Sequence, residues 1–102
     1  MKCSQCGYEF DRTKDEGWVA SISGSIMGDE YIETYYYCEK CGKYTQDNYR
    51  DRFLGDTDIF PRGPYTQEEV EASIELIKKC PEPWNKKCRC DAHIEYFGGS
   101  LD

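Results

Sequence analysis

The sequence predicts a small α+β domain held together by bound metal, and three observations lead to this prediction. The chain has 102 residues, of which 38% are hydrophobic and 32% charged, so an unaided core would be thin. It carries seven cysteines and one histidine, and these eight soft ligands make two complete sets of four. Strand-like segments fill the first half, and a helix with clear boundary signals follows.

Two CxxC pairs, each followed by glycine, frame the first half of the chain. Their four cysteines are Cys3, Cys6, Cys38 and Cys41. Two thiolates separated by two residues can grip one ion from a tight turn, and glycine permits the backbone conformation needed after the second thiolate. Four tetrahedral thiolates favour zinc or a single iron ion. Because such a site has no open coordination position, we expect it to be structural.

Strand and turn signals between the two pairs predict an antiparallel ribbon. Strands are expected over residues 18–23, 31–37 and 43–49, with a hairpin tip that reaches Asp29 and Glu30. In a single compact domain spanning residues 1–102, residues 1–49 would then form one metal-binding ribbon.

A change of composition predicts a connecting loop over residues 50–65, which are rich in Asp, Gly and Pro. We expect isolated hydrophobic residues to attach this surface segment to the domain. They are Phe53, Leu54, Ile59 and Phe60.

The third segment, residues 66–102, contains the helix. Thr66 and Glu69 form a T-x-x-E capping box, and Pro81 ends the helix. Four residues share one face at helical spacing: Val70, Ser73, Ile74 and Ile77. Cys80 continues this stripe, so we expect the helix to deliver it into the core.

A second metal-knuckle segment follows the helix. The ligand pattern C-x7-C-x-C-x2-H comprises Cys80, Cys88, Cys90 and His93. We expect Cys88 and Cys90 on an extended or turning segment, with His93 closing the shell. If His93 were free, three protein ligands would leave the open position that catalytic zinc requires.

Basic residues are concentrated around this second cluster, although the chain is acidic overall. They are Lys78, Lys79, Lys86, Lys87 and Arg89. Nearby cations stabilise thiolates, which is the interpretation we prefer. The alternative is a docking patch for an anionic partner.

The first half resembles a zinc ribbon. Residues 29–38 are similar to the hairpin before the second CxxC pair in eukaryotic transcript-cleavage elongation factors and their archaeal relatives. The resemblance implies that Asp29 and Glu30 position metal in the RNA polymerase active site. That family has arginine three residues before the aspartate, where this chain has Ile26. An acidic hairpin tip is also an ordinary solvated turn, the interpretation we favour.

The first CxxC pair also resembles the Cys-x-x-Cys-Gly-Tyr start of rubredoxin. This resemblance implies one electron-transferring iron ion at Cys3, Cys6, Cys38 and Cys41. Glu39 stands where rubredoxins have proline. Both resemblances end near residue 50.

Composition limits the possible partners and compartments. A net charge of −7 has the wrong sign for bare nucleic acid as a sole partner, so we expect a protein partner, one with a basic surface. The start of the chain has no apolar leader segment, and no apolar run is long enough to span a membrane. We therefore expect the reducing cytoplasm, where CxxC pairs bind metal more often than they form disulfides.

These observations predict a non-catalytic, two-zinc interaction module or accessory subunit. A single histidine leaves few groups for acid–base catalysis near neutral pH, so we do not expect an enzyme. The candidate partner surfaces are the hairpin of residues 24–35 and the aromatic tail of residues 96–102. The alternatives are a rubredoxin-like electron carrier and an RNA polymerase-associated zinc-ribbon factor.

Overall fold

A four-stranded antiparallel sheet and one main helix form the molecule, which a computed structural model describes over residues 2–52 and 55–99. This confirms the predicted α+β class. The strands, named β1 to β4 in chain order and in order across the sheet, are Trp18–Ile26, Asp29–Cys38, Lys43–Asp51 and Thr57–Tyr65. The helices are Gln67–Lys79 (α1) and Asp91–Tyr96 (α2), and a 3-10 turn spans Arg12–Lys14.

The turn of the β1–β2 hairpin is shorter than predicted, because both strands extend into the expected tip. Its loop consists of Met27 and Gly28, whose φ values are 52° and 86°. Positive φ at both positions suits a two-residue turn that follows the twist of the flanking strands. Asp29 and Glu30 therefore lie not in the turn but at the start of β2.

The predicted loop over residues 50–65 is wrong for most of its length, because strand β4 lies there. This edge strand is mostly exposed and contains two prolines, which an edge tolerates because only one side is paired. It therefore lacks the alternating apolar pattern of a half-buried strand. Of the expected hydrophobic attachments, Phe53 and Leu54 lie outside the described residues, Ile59 is 66% exposed and Phe60 is half-buried.

The boundary signals of helix α1 are confirmed. The Thr66 hydroxyl accepts a hydrogen bond from the Glu69 N–H, and the Glu69 carboxylate accepts one from the Thr66 N–H. Cys80 is the C-terminal cap. The core joins three helix residues to three sheet residues: Val70, Ile74, Ile77, Ala20, Ile22 and Tyr35.

The two faces of the sheet are covered differently. Ala20, Ile22 and Tyr35 lie on the side packed against α1, which we call the helix face. On the opposite side, which we call the open face, Phe10 stacks on Tyr36 with ring centroids 5.5 Å apart. The N-terminal segment thus covers one end of the open face.

Cys88 and Cys90 lie on a segment without helix or strand, as expected, and helix α2 then carries His93. It has six residues, too few for the periodic pattern that identifies a helix in a sequence. At its end, Tyr96 and Phe97 pack against the core. The expected aromatic tail therefore folds back at these two positions, and residues 100–102 lie outside the described part. Neither of the helices that the structure describes is long and apolar enough to cross a bilayer.

Two isoleucines on opposite faces test this arrangement. Ile22 is 0% exposed and Ile59 is 66% exposed. We expect Ile22→Ala to lower the free energy of unfolding by about 2–5 kcal/mol, because it opens a core cavity. Ile59→Ala should change it by less than about 0.5 kcal/mol. Urea unfolding of metal-loaded protein measures both, and equal losses would contradict the assignment of the faces.

Candidate metal centres

The first candidate metal centre lies where the N-terminal segment meets the β2–β3 connection. The Sγ atoms of Cys3, Cys6, Cys38 and Cys41 all lie within 4.8 Å of one another. Cys3 and Cys41 are 3.5 Å apart, and Cys6 and Cys38 are 3.6 Å apart. Metal–sulfur bonds of about 2.3 Å to a tetrahedral ion place the sulfur atoms about 3.8 Å apart. The four thiols therefore fit one such ion.

Local backbone geometry forms each CxxC turn. Gly7 and Gly42 follow the two pairs and have φ values of 76° and 72°, as their sequence positions suggested. The Gly7 N–H donates to the Cys3 carbonyl at 3.0 Å, and the Gly42 N–H donates to the Cys38 carbonyl at 2.8 Å. Each glycine thus closes a tight turn around its pair of thiols.

Both CxxC pairs are attached to the sheet. Cys38 is the last residue of β2, and β3 begins just after Cys41. The N-terminal pair is held by Ser4, whose N–H donates to the Thr45 hydroxyl at 2.9 Å. Thr45 lies on β3 and is 1% exposed. The sheet therefore holds both halves of the first centre.

Backbone N–H groups point at the sulfur atoms in both clusters. In five cases the donor lies two residues after the cysteine. The pairs are Gln5 with Cys3, Tyr8 with Cys6, Lys43 with Cys41, Glu82 with Cys80, and Ala92 with Cys90. Such donors stabilise the charged thiolate that binds metal. All seven cysteines are free, so the structure contains no disulfide framework within its described residues.

Crowding separates the thiol pKa values within the first centre. Burial raises the pKa of Cys3, but backbone hydrogen bonds from Cys6 and Gln5 outweigh it and lower that pKa to about 6. Burial raises the pKa of Cys41 to about 12, and the neighbouring thiols Cys3 and Cys38 add to this. Without a cation, an ionised thiol must therefore share the cluster with protonated ones.

The second candidate centre lies between the end of α1 and the start of α2. Cys80, Cys88 and His93 are buried, and their ligand atoms lie within 4.8 Å of one another. Cys80 Sγ is 3.6 Å from Cys88 Sγ and 3.3 Å from His93 Nδ1. Cys90 stands at the edge of this set, with its Sγ atom 3.4 Å from Cys80 Sγ. The structure thus brings three of the four predicted ligands within mutual reach, and Cys90 lies beside Cys80 but outside that group.

The thiols of Cys80 and Cys90 differ in how readily they ionise. Burial raises the pKa of Cys80 to about 12. The backbone N–H of His93 donates to Cys90 Sγ, which caps helix α2, and this bond lowers the pKa of Cys90. Cys90 is therefore the more readily ionised of the two.

His93 is oriented as a metal ligand by the sheet. Its Nε2 atom lies 2.6 Å from the Ser23 carbonyl, which can only accept a hydrogen bond. Nε2 therefore carries the hydrogen, and in the neutral ring Nδ1 presents its lone pair to the cluster. The side chain is 0% exposed, and burial lowers its pKa, which favours that neutral form.

The second centre also covers the edge of strand β1. The N–H of Ser23 donates to the Pro83 carbonyl at 2.8 Å, while the Ser23 carbonyl accepts from His93. Both outward-facing backbone groups of Ser23 are thereby satisfied by the segment that carries the ligands. An edge covered in this way is protected from pairing with other chains.

Two ion pairs involve the carboxylates of Asp29 and Glu30. Lys86, expected near the thiolates, forms an ion pair with Glu30. Asp29 pairs with Arg50 at 3.0 Å. Both carboxylates of the predicted acidic tip therefore have basic partners within the chain.

Metal content tests the two centres. We expect elemental mass spectrometry to find two zinc ions per chain, and His93→Ala to lose or weaken the second. The matched variant His93→Cys keeps a soft ligand at that position and should retain more of this metal than His93→Ala. Iron, or a single metal ion that His93→Ala leaves unchanged, would contradict the eight-ligand assignment.

Zinc binding should also release protons at pH 7. The Cys41 thiol, with its pKa of about 12 in the absence of metal, is protonated at that pH and must lose its proton to bind. Zinc affinity should therefore fall as the pH falls. Calorimetric titrations in buffers with different ionisation enthalpies measure the released protons, and identical heats in all buffers would count against this account.

The resemblances to zinc ribbons and to rubredoxin stay predictions. Comparison of the chain with models of protein families, with curated proteins and with solved structures gives no match.

Proposed function

We propose that this protein is a non-catalytic module that is stabilised by two zinc ions and binds a protein partner through the open face of its sheet. Two features support the metal assignment. The clusters combine thiols with one imidazole, which are ligands that zinc prefers in tetrahedral sites. The first centre offers four thiols to one ion and would be closed, and the second would be closed with Cys90 as its fourth ligand. Closed zinc sites are structural. An iron ion in the first centre is the alternative that metal analysis distinguishes.

The metal ions would supply stability that the core lacks. Among the described residues, the main buried cluster has six members and a second one, beside the first centre, has three. A structural zinc site contributes roughly 10–16 kcal/mol of apparent binding free energy that is coupled to folding. The first centre joins the N-terminal segment to the β2–β3 hairpin, as in a zinc ribbon, and the second joins α1, α2 and the edge of β1.

A row of large apolar side chains, two of them exposed and two partly buried, is the observation that carries the interaction role. Ile32, Tyr49 and Ile59 are paired directly across β2, β3 and β4, so their side chains are neighbours on the open face. Trp84, which is 71% exposed, lines a cleft of about 330 Å³ together with Ile32. We call these four residues the apolar row. Contiguous exposed apolar and aromatic side chains mark protein interfaces.

Acidic side chains on the same face indicate the chemistry of the partner. Asp47 and Asp51 flank Tyr49 at alternate positions of β3, and the chain has a net charge of −7. A complementary partner therefore presents basic residues around an apolar centre. A second copy of the chain fits poorly, because it would bring the same carboxylates face to face.

The partner surfaces predicted from the sequence contribute unequally to this face. The hairpin of residues 24–35 supplies Ile32. In the tail of residues 96–102, Tyr96 and Phe97 are committed to the core.

Paired variants test the interaction role. A partner purified with the wild-type chain should lose about tenfold or more in affinity when Ile59→Ala or Trp84→Ala removes part of the apolar row. Met27→Ala is the matched control, since Met27 is 89% exposed but lies in the hairpin turn. Metal content and urea unfolding should match the wild type in all three variants.

Affinity measured by calorimetry with the purified partner decides the outcome. Equal affinity for the row variants and the wild type would contradict the open face as the docking surface.

A further inference from the structure

A separate polar cleft lies on the helix face of the sheet and has a volume of about 310 Å³. Its floor is formed by three residues that lie directly opposite one another on β2, β3 and β4, namely Glu33, Asn48 and Phe60. Tyr31, Arg50 and Arg62 also line it. The cleft thus combines one carboxylate, the two amides of Gln46 and Asn48, and two guanidinium groups, on the face opposite the side chains of Ile32 and Ile59.

The carboxylate of Glu33 is held in place by a hydrogen-bonded network. Its Oε1 atom accepts from the Tyr96 hydroxyl and from Gln46 Nε2, both at 2.8 Å. The Tyr96 hydroxyl is in turn 2.7 Å from that of Tyr35, which is 3% exposed. Oε2 has no hydrogen-bond partner among the residues that the structure describes. The network therefore positions an acceptor whose second oxygen is available to a ligand.

The two arginines supply the opposite charge. The guanidinium of Arg62 lies over the Phe60 ring, 5.2 Å from its centroid, and has no hydrogen-bond partner in the described part of the chain. Arg50 lies over Tyr31 and pairs with Asp29, but its Nε atom is buried without a partner. Unpaired buried donors are uncommon in folded proteins. Both guanidinium groups therefore retain hydrogen-bonding capacity.

We propose that this cleft binds a free α-amino acid, with the ammonium group at Glu33 and the carboxylate at Arg62. The two groups come from β2 and β4, on either side of β3. Burial raises the pKa of the Glu33 carboxyl, and the charge of Arg62 is close enough to lower it. An α-amino acid carries its ammonium and carboxylate groups on one carbon atom, so it is a compact ligand that presents both charges to the cleft.

The charge pattern selects against simpler ions. An anion alone would lie beside the Glu33 carboxylate, and a cation alone would lie beside Arg62. A zwitterion pairs with both groups at once. The amide of Asn48 lies between them, and the rings of Tyr31 and Phe60 offer apolar contact for a side chain.

The zinc-loaded full chain labelled with ¹⁵N tests the proposal. Free L-alanine, L-leucine and L-phenylalanine are titrated separately while the side-chain amide signals of Asn48 and Gln46 are followed. We expect saturable shifts with at least one of them. N-acetyl-L-leucine and L-leucinamide, which each lack one charge, should bind at least about tenfold more weakly than leucine.

Variants then locate the site. Glu33→Gln retains a carbonyl that accepts from Tyr96 and Gln46 but removes the charge, so it should fold and lose binding. Arg62→Gln should also lose binding. Arg52→Gln is the matched control, because Arg52 pairs with Asp58 outside the cleft. No saturable shift with any of the three amino acids, or equal binding of the blocked analogues, would overturn the proposal.

Discussion

The rest of the structure depends on the close approach of thiol groups in two clusters. In the first cluster, sulfur atoms lie 3.5–3.6 Å apart, and one thiol pKa falls to about 6 while another rises to about 12. Backbone N–H groups in both clusters nevertheless point at the sulfur atoms and favour thiolates. A divalent cation would resolve this conflict because it neutralises several thiolates at once. Since the apolar core is small, metal bound at these centres would help to hold the strands and helices in position.

The signals that predicted structure were local ones. The two CxxC pairs with their glycines, and the capping box of Thr66 and Glu69, are complete within a few residues, so the sequence was sufficient to place them. Strand β4 could not be predicted, because its stability comes from pairing with β3 and not from its own apolar pattern. Helix α2 is short and begins at a ligand, Cys90, whose capping role depends on the tertiary fold.

Both candidate binding surfaces were invisible in the sequence for a related reason. The apolar row joins residues that are far apart in the chain, and only the strand register brings Ile32, Tyr49 and Ile59 side by side. The cleft likewise forms only because the pairing of β2, β3 and β4 brings Glu33 and Arg62 to the same part of the sheet. Register is a property of the pairing between strands, so no short sequence motif records it.

The register between β2 and β3 also connects the first metal centre with the apolar row and the cleft. Ile32 and Glu33 are consecutive on β2 but face opposite sides, and Asn48 and Tyr49 do the same on β3. A slip of one residue between these strands would exchange the apolar row with the polar floor of the cleft. Cys38 and Cys41 bracket the β2–β3 turn, where Cys38 is paired with Lys43. An ion bound to both thiols would fix that turn, so metal at the first centre would hold the register that keeps the two proposed surfaces apart.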